Sequence, residues 1–144
     1  APARSAGPPT PAAIAIPTLA GRRLLALDDD LSTRKLLALT LGTMGRGDVR
    51  IVEVPDEALA MIDAEHFDLA IVDAMMPTTT GLAFALAVRA CERGATIPIV
   101  FLSAASQDEL GWTLPANATW LRKPFRPREL LEALVRILDA GELR

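Results

Sequence analysis

From Leu24 onward the chain switches repeatedly between two hydrophobic periods. Short apolar runs fall at 24–27, 49–54, 69–72, 97–102 and 119–121, and each reads as a strand. The stretches between them have helical spacing. Over 32–44, Leu37, Leu41 and Met44 recur at i, i+4 and i+7, and Gly45 and Gly47 close the segment. Pro55 suits the first turn of a helix over 55–64, with Asp56 and Glu57 where the helix dipole favours anions. A third helix is expected over 81–92. Segment 104–117 is the least regular, because Gly111 and Pro115 limit any helix there to one or two turns. Pro127 opens a final amphipathic helix with Leu130, Leu134, Ile137 and Leu138 on one face. Five nearly continuous apolar strands alternating with five helices predict an α/β fold, a doubly wound parallel sheet covered on both faces. In such a sheet a site lies at the carboxyl ends of the strands, near the point where strand order reverses.

The first twenty residues differ in kind. They hold five of the eleven prolines, seven alanines and no acidic residue. Proline at this density gives an extended, semi-rigid segment and prevents helix. A signal peptide is the competing reading, but the apolar stretch from Ala12 to Ile16 is too short and is closed by Pro17. The expectation is therefore an interdomain linker over 1–21, with a further domain upstream, and one folded domain over 22–144.

Composition narrows the function classes. At 144 residues and 51% hydrophobic content the chain suits a single domain with an ordinary core. A lone cysteine, Cys91, excludes a disulfide scaffold. No apolar run approaches the roughly 18–20 residues of a bilayer span, so a cytoplasmic location without membrane contact is expected. The net charge is −3 overall, and from Leu24 onward twelve basic residues face eighteen acidic ones. An acidic surface argues against capture of nucleic acid.

The strand ends carry the chemistry. The first run is followed by Asp28, Asp29 and Asp30, the third by Asp73, the fourth by Ser103, and Lys123 follows the fifth. Each has an ordinary alternative: Asp30 or Ser32 as a helix cap, Asp73 as a turn residue before Pro77, Ser103 as a strand terminus, Lys123 as a surface charge. Converging on one rim, several carboxylates repel unless a cation sits among them. An oxygen-only ligand set favours a hard ion, Mg²⁺ above all. A lysine and a hydroxyl beside it suit the remaining oxygens of a phosphoryl group, with a carboxylate as nucleophile. His66 reads as a surface or capping residue, Cys91 as packing, and Trp112 as either an exposed docking residue or a core filler. The basic residues Arg122, Lys123, Arg126 and Arg128 are better explained by the neighbouring acidic site than by nucleic acid.

Four ordered motifs give the chain a family likeness: Leu-Leu-Ala-Leu-Asp-Asp-Asp at 24–30, Ile-Val-Asp-Ala-Met-Met-Pro at 71–77, Ile-Val-Phe-Leu-Ser-Ala at 99–104 and Arg-Lys-Pro-Phe at 122–125. Over about 23–138 it resembles the receiver domain of two-component response regulators. The resemblance implies a flavodoxin-like sheet of order 2-1-3-4-5 and phosphoryl transfer onto Asp73 from a histidine kinase or histidine phosphotransfer domain. It implies Mg²⁺ held by Asp28, Asp29, Asp73 and the backbone carbonyl of Met75, with Asp28 acting largely through water. It makes Ser103 and Lys123 the groups that meet the phosphoryl oxygens, Ser103 and Trp120 the switch pair, and the Lys123–Pro124 bond cis. Such a domain catalyses its own phosphorylation and dephosphorylation. The Pro/Ala-rich lead-in resembles that of receivers in hybrid sensor kinases, whose parent protein can be membrane-associated.

Some features depart from the family pattern. Only 20 residues separate Ser103 from Lys123, so the fourth helix should be short or distorted, and Trp120 replaces the usual Tyr or Phe. Two other functions remain in view. One is a receiver-like docking module that is never phosphorylated. The other is a phosphatase of the haloacid-dehalogenase type, because Asp28-Asp29-Asp30-Leu31-Ser32 approximates that family's opening motif with Asp28 as nucleophile. That reading leaves Asp73 without a role.

Overall fold

The computed structural model describes residues 16–142. Five strands, β1 (Arg23–Leu27), β2 (Asp48–Val52), β3 (Leu69–Asp73), β4 (Ile99–Ser103) and β5 (Ala118–Arg122), pair in parallel in the order β2-β1-β3-β4-β5. This is the order that the family resemblance implies, in the parallel sheet that the hydrophobic pattern predicts. Helices α1 (Leu31–Leu37), α2 (Pro55–Ala64), α3 (Gly81–Ala90), α4 (Gln107–Leu110) and α5 (Pro127–Glu142) connect and follow them.

The continuous hydrophobicity of the central strands has a direct cause, since alternate residues feed opposite cores. Leu25 and Leu27 of β1, Ala70 and Val72 of β3, and Ile99 and Phe101 of β4 pack with Ala58 and Ile62 of α2 and Phe84, Ala85 and Val88 of α3. Leu24, Ala26, Leu69, Ile71, Val100 and Leu102 face the other way, onto Leu37 of α1 and Leu130, Leu131, Leu134 and Leu138 of α5. In α4 no side chain is buried, so this short helix adds little to either layer.

Three local features depart from the periodicity. The helix expected over 32–44 is α-helical only to Leu37 and continues as a π-helical segment, Ala38–Met44, in which the Gly45 N–H reaches back five residues to the Thr40 carbonyl at 2.9 Å. The second strand stops at Val52, and Val54 is instead an exposed residue capping α2. Leu19, placed by composition in the linker, is fully buried against α1 and α5. Its N–H donates to the Gly45 carbonyl at 2.7 Å, and a Cβ on Gly45 would stand 2.7 Å from Leu131 and 3.2 Å from Leu19. Burying one leucine is worth roughly 1.5–3 kcal/mol, enough to hold the lead-in from Thr18 onto the domain. Of the linker expected over 1–21, residues 1–15 lie outside the described residues.

Candidate active site

The strand register assembles the site. Leu27 is level with Val72, and Asp73 with Leu102, so Asp28, one residue beyond β1, stands beside Asp73. Asp28 is fully buried; its Oδ1 accepts from the Asp30 N–H at 2.8 Å and its Oδ2 lies 3.4 Å from Lys123 Nζ. Asp29 is exposed. Asp30 leaves the cluster to cap α1, its Oδ2 accepting from both the N–H and the hydroxyl of Thr33 at 2.9 Å. One carboxylate oxygen each from Asp28, Asp29 and Asp73 lie within 4.8 Å of one another.

Asp73 ends β3, and its Oδ1 accepts from the Met75 N–H at 3.3 Å and lies 4.0 Å from Lys123 Nζ. The loop behind it is drawn tight: the Gly81 N–H donates to the Ala74 carbonyl at 2.7 Å. A Cβ on Gly81 would stand 2.6 Å from the Asp73 carbonyl, so glycine is required where α3 starts against the strand end. Burial raises Asp73 to about 7, reinforced by the Asp28 charge and opposed by Lys123. Asp28 is likewise raised, chiefly by burial, with the Asp30 N–H and Lys123 pulling the other way. Two such carboxyl groups side by side are strained as anions. Three converging carboxylates with one lysine at their edge therefore have the donor chemistry that suits a small divalent cation.

Ser103 ends β4 and is almost fully buried, its Oγ accepting from the Ala105 N–H at 3.0 Å. Lys123 is held to the same strand end, because its backbone N–H donates to the Ser103 carbonyl at 2.7 Å. The Lys123–Pro124 bond is cis. Trp120 projects from β5, and its Nε1–H donates to the Ala105 carbonyl at 3.0 Å.

The structure thus brings Asp28, Asp29, Asp73 and Lys123 together, with Ser103 on the adjacent strand end and Met75 two residues beyond Asp73. Of the four basic residues read as neighbours of the acidic site, Lys123 lies against its carboxylates. Arg122 lies near Glu109 at 3.6 Å and donates to the Ala104 carbonyl, and Arg128 pairs with Glu132 along α5. Arg126 is exposed beside Pro127. His66, at the opposite end of β3, contacts Asp68 at 3.0 Å. Trp112 proves to be packed against the core rather than displayed. Sequence reasoning missed Arg34, whose Nη1–H donates to the Asp28 carbonyl at 3.1 Å while Nη2 lies 3.4 Å from Glu53. Its only sequence signal was a position about one helical turn beyond the acidic run.

Comparison with known proteins places this fold among relatives. The family model for the response regulator receiver domain matches residues 24–135. The transcriptional regulatory protein GltR of Pseudomonas aeruginosa is 36% identical over 125 residues, covering 85% of this chain and 51% of GltR. The chain thus spans about half the length of that curated relative. The chemotaxis response regulator CheY4 of Vibrio cholerae shares 35% identity at a TM-score of 0.69, covering 83% of this chain and 99% of CheY4. The receiver domain of the sensor histidine kinase PA1611 from Pseudomonas aeruginosa, with magnesium in its own active-site cleft, matches in fold at a TM-score of 0.69 and 24% identity, covering 83% of this chain and 99% of that domain. With a family model covering most of its length and the acidic cluster at the expected strand ends, the chain belongs to the receiver domain family of two-component response regulators.

Proposed function

We propose that Asp73 is the phosphoacceptor of this receiver, taking a phosphoryl group from a phosphohistidine. The observation that carries this reading is the position of the Asp73 carboxyl at the end of the central strand, between Asp28, Asp29 and Lys123. An Asp73 oxygen forms the new O–P bond as the N–P bond of the donor breaks, and the imidazole leaves with a proton. Lys123, already 4.0 Å from Asp73, meets the charge on the transferred oxygens, and the Ser103 hydroxyl turns from Ala105 to the same group. Asp28, Asp29, Asp73 and the Met75 carbonyl would hold Mg²⁺, which when bound neutralises the carboxylates and the phosphoryl charge. Arg34 supports them by fixing the Asp28 backbone.

Asp28 is a poorer nucleophile than Asp73, since its two oxygens are engaged by the Asp30 N–H and by Lys123 and it is fully buried. This favours Asp73 over the phosphatase reading. The donor is a histidine kinase or a histidine phosphotransfer domain. An exposed Leu31 and a cavity of about 210 Å³ lined by Thr33, Leu36, Lys123, Pro124 and Phe125 offer apolar surface for it directly beside the site. Among the described residues no helix is long and apolar enough to cross a membrane. We further propose a cytoplasmic receiver module of a hybrid kinase, with the Pro/Ala-rich stretch ahead of Thr18 as the connection to an upstream domain.

The test is incubation with Mg²⁺ and acetyl phosphate beside Asp73→Ala. A hydroxylamine-labile mass gain of one phosphoryl group, lost in the variant, is expected. Label that persists in the variant and maps to Asp28 would establish the phosphatase chemistry instead. Absence of both label and Mg²⁺ binding would leave a docking module.

A further inference from the structure

The site uses Ser103 and Trp120 but gives Trp112 no task. We propose that Trp112 is a positioning residue that pins the Trp120 indole and thereby holds the Ser103 hydroxyl away from Asp73 in the unmodified protein. The pin itself is independent of phosphorylation, whereas its consequence for Ser103 rests on the phosphoacceptor reading of Asp73.

Three rings close a triangle. Trp112 stands edge-on to Trp120 at 5.6 Å between ring centres and 86°, and edge-on to Phe101 at 5.9 Å and 78°. Phe101 and Trp120 complete it at 5.8 Å. Phe101 is fully buried in the sheet and is the fixed wall. Trp112 is the other wall, delivered by a loop. Gly111, at φ 68°, turns the chain immediately after α4, and the Gln107 Nε2–H donates to the Trp112 carbonyl at 3.0 Å. The ring therefore falls back on the sheet from a short, tethered segment.

Ala105 is the link to chemistry. Its carbonyl accepts from the Trp120 indole N–H, and its own N–H donates to Ser103 Oγ, both at 3.0 Å. With the indole wedged between Phe101 and Trp112, Ala105 is fixed, and so is the Ser103 oxygen it holds. A tilt of the indole releases the Ala105 carbonyl, then the N–H, and leaves Ser103 able to turn toward an oxygen on Asp73. Trp112 thus sets how often the loop opens.

The experiment follows amide hydrogen exchange at Ala105 in the unmodified full chain, comparing the natural protein with Trp112→Leu and Trp112→Phe. Losing two edge-on ring contacts should accelerate Ala105 exchange about tenfold in Trp112→Leu, while Trp112→Phe restores it to within a few-fold. The amides of Ile71 and Val100 report that the sheet is intact. Unchanged Ala105 exchange in a folded Trp112→Leu would overturn the proposal. Should that variant lose protection in the sheet, Gln107→Ala carries the test: it loosens the tether alone, and exchange at Ala105 that fails to rise overturns the pin. Labelling by acetyl phosphate should accelerate in step with exchange. Faster exchange without faster labelling, in a protein whose Asp73 does label, would refute the positioning role. If Asp73 never labels, the function proposed for it fails, and the exchange data still judge the pin.

Discussion

Replacing Asp73 by asparagine tests the electrostatics of the strand ends without any phosphodonor. Burial and the Asp28 charge raise Asp73 to about 7 in the folded protein, against an ordinary value of 3.8. The folded state therefore holds a proton that the unfolded chain releases near pH 4. Stability of the metal-free protein is greatest, for this group, below pH 4 and is lost progressively as pH rises through 7. At about 1.4 kcal/mol per pKa unit, the penalty integrates to roughly 2 kcal/mol at pH 5 and roughly 4 kcal/mol at pH 8. The neutral amide of the Asp73→Asn variant carries no such penalty. Its stability relative to the natural protein should thus grow by about 2–3 kcal/mol between pH 5 and pH 8. Asp28 acts in the same direction, because it ionises more easily once its neighbour is neutral.

Urea unfolding in EDTA at pH 5, 6, 7 and 8 measures the gap directly, provided both proteins give the same m value. A gap that stays constant or narrows toward pH 8 would refute a strained carboxylate pair. Adding millimolar Mg²⁺ at pH 8 should stabilise the natural protein by mass action and leave Asp73→Asn nearly unmoved, which closes the gap again.

Three further outcomes follow from particular contacts. Lys123→Met removes the ammonium 3.4 Å from Asp28 and 4.0 Å from Asp73; labelling by acetyl phosphate should slow by about 100-fold, and the Asp73 carboxyl, followed by NMR, should titrate still higher. Leu19→Ala should cost about 2–4 kcal/mol in urea unfolding because the side chain is fully buried; a change below about 0.5 kcal/mol would show that the lead-in does not belong to the core. Thr40→Val should stabilise the domain by about 1 kcal/mol in the same assay, since Thr40 Oγ1 is buried without a hydrogen-bond partner and valine keeps the shape.

The sheet and the cluster on it were legible because both are encoded locally. Asp28, Asp73 and Ser103 each follow an apolar run directly, and parallel pairing brings such ends to one rim whatever the helices do. The π-helical segment was not legible, because Leu37 and Leu41 at i and i+4 look the same whether or not the next turn takes an extra residue. Leu19 was masked by its neighbours: Pro17 and the alanines give the segment a linker's composition, while the pocket for Leu19 is made by Gly45 and Leu131, far away in the chain. Arg34 was equally hidden, since the group it serves is a backbone carbonyl.

Trp112 shows where composition stops being informative and geometry takes over. Shortening the segment between Ser103 and Lys123 leaves α4 with four residues and no buried side chain, so the sheet beside β5 lacks the cover a longer helix would give. Trp112 and Leu114 supply it, packing against the core with Trp120. Cover and coupling then fall to the same residue, because the ring that shields Phe101 also closes the slot of the Trp120 indole. An alanine at 112 would remove both at once and could separate neither. Phenylalanine keeps an aromatic edge in the slot while giving up bulk, so its effect on stability and its effect on Ala105 exchange need not run together. A Trp112→Phe protein that melts earlier yet exchanges Ala105 at the natural rate would assign the pin to the ring edge and the cover to the volume behind it.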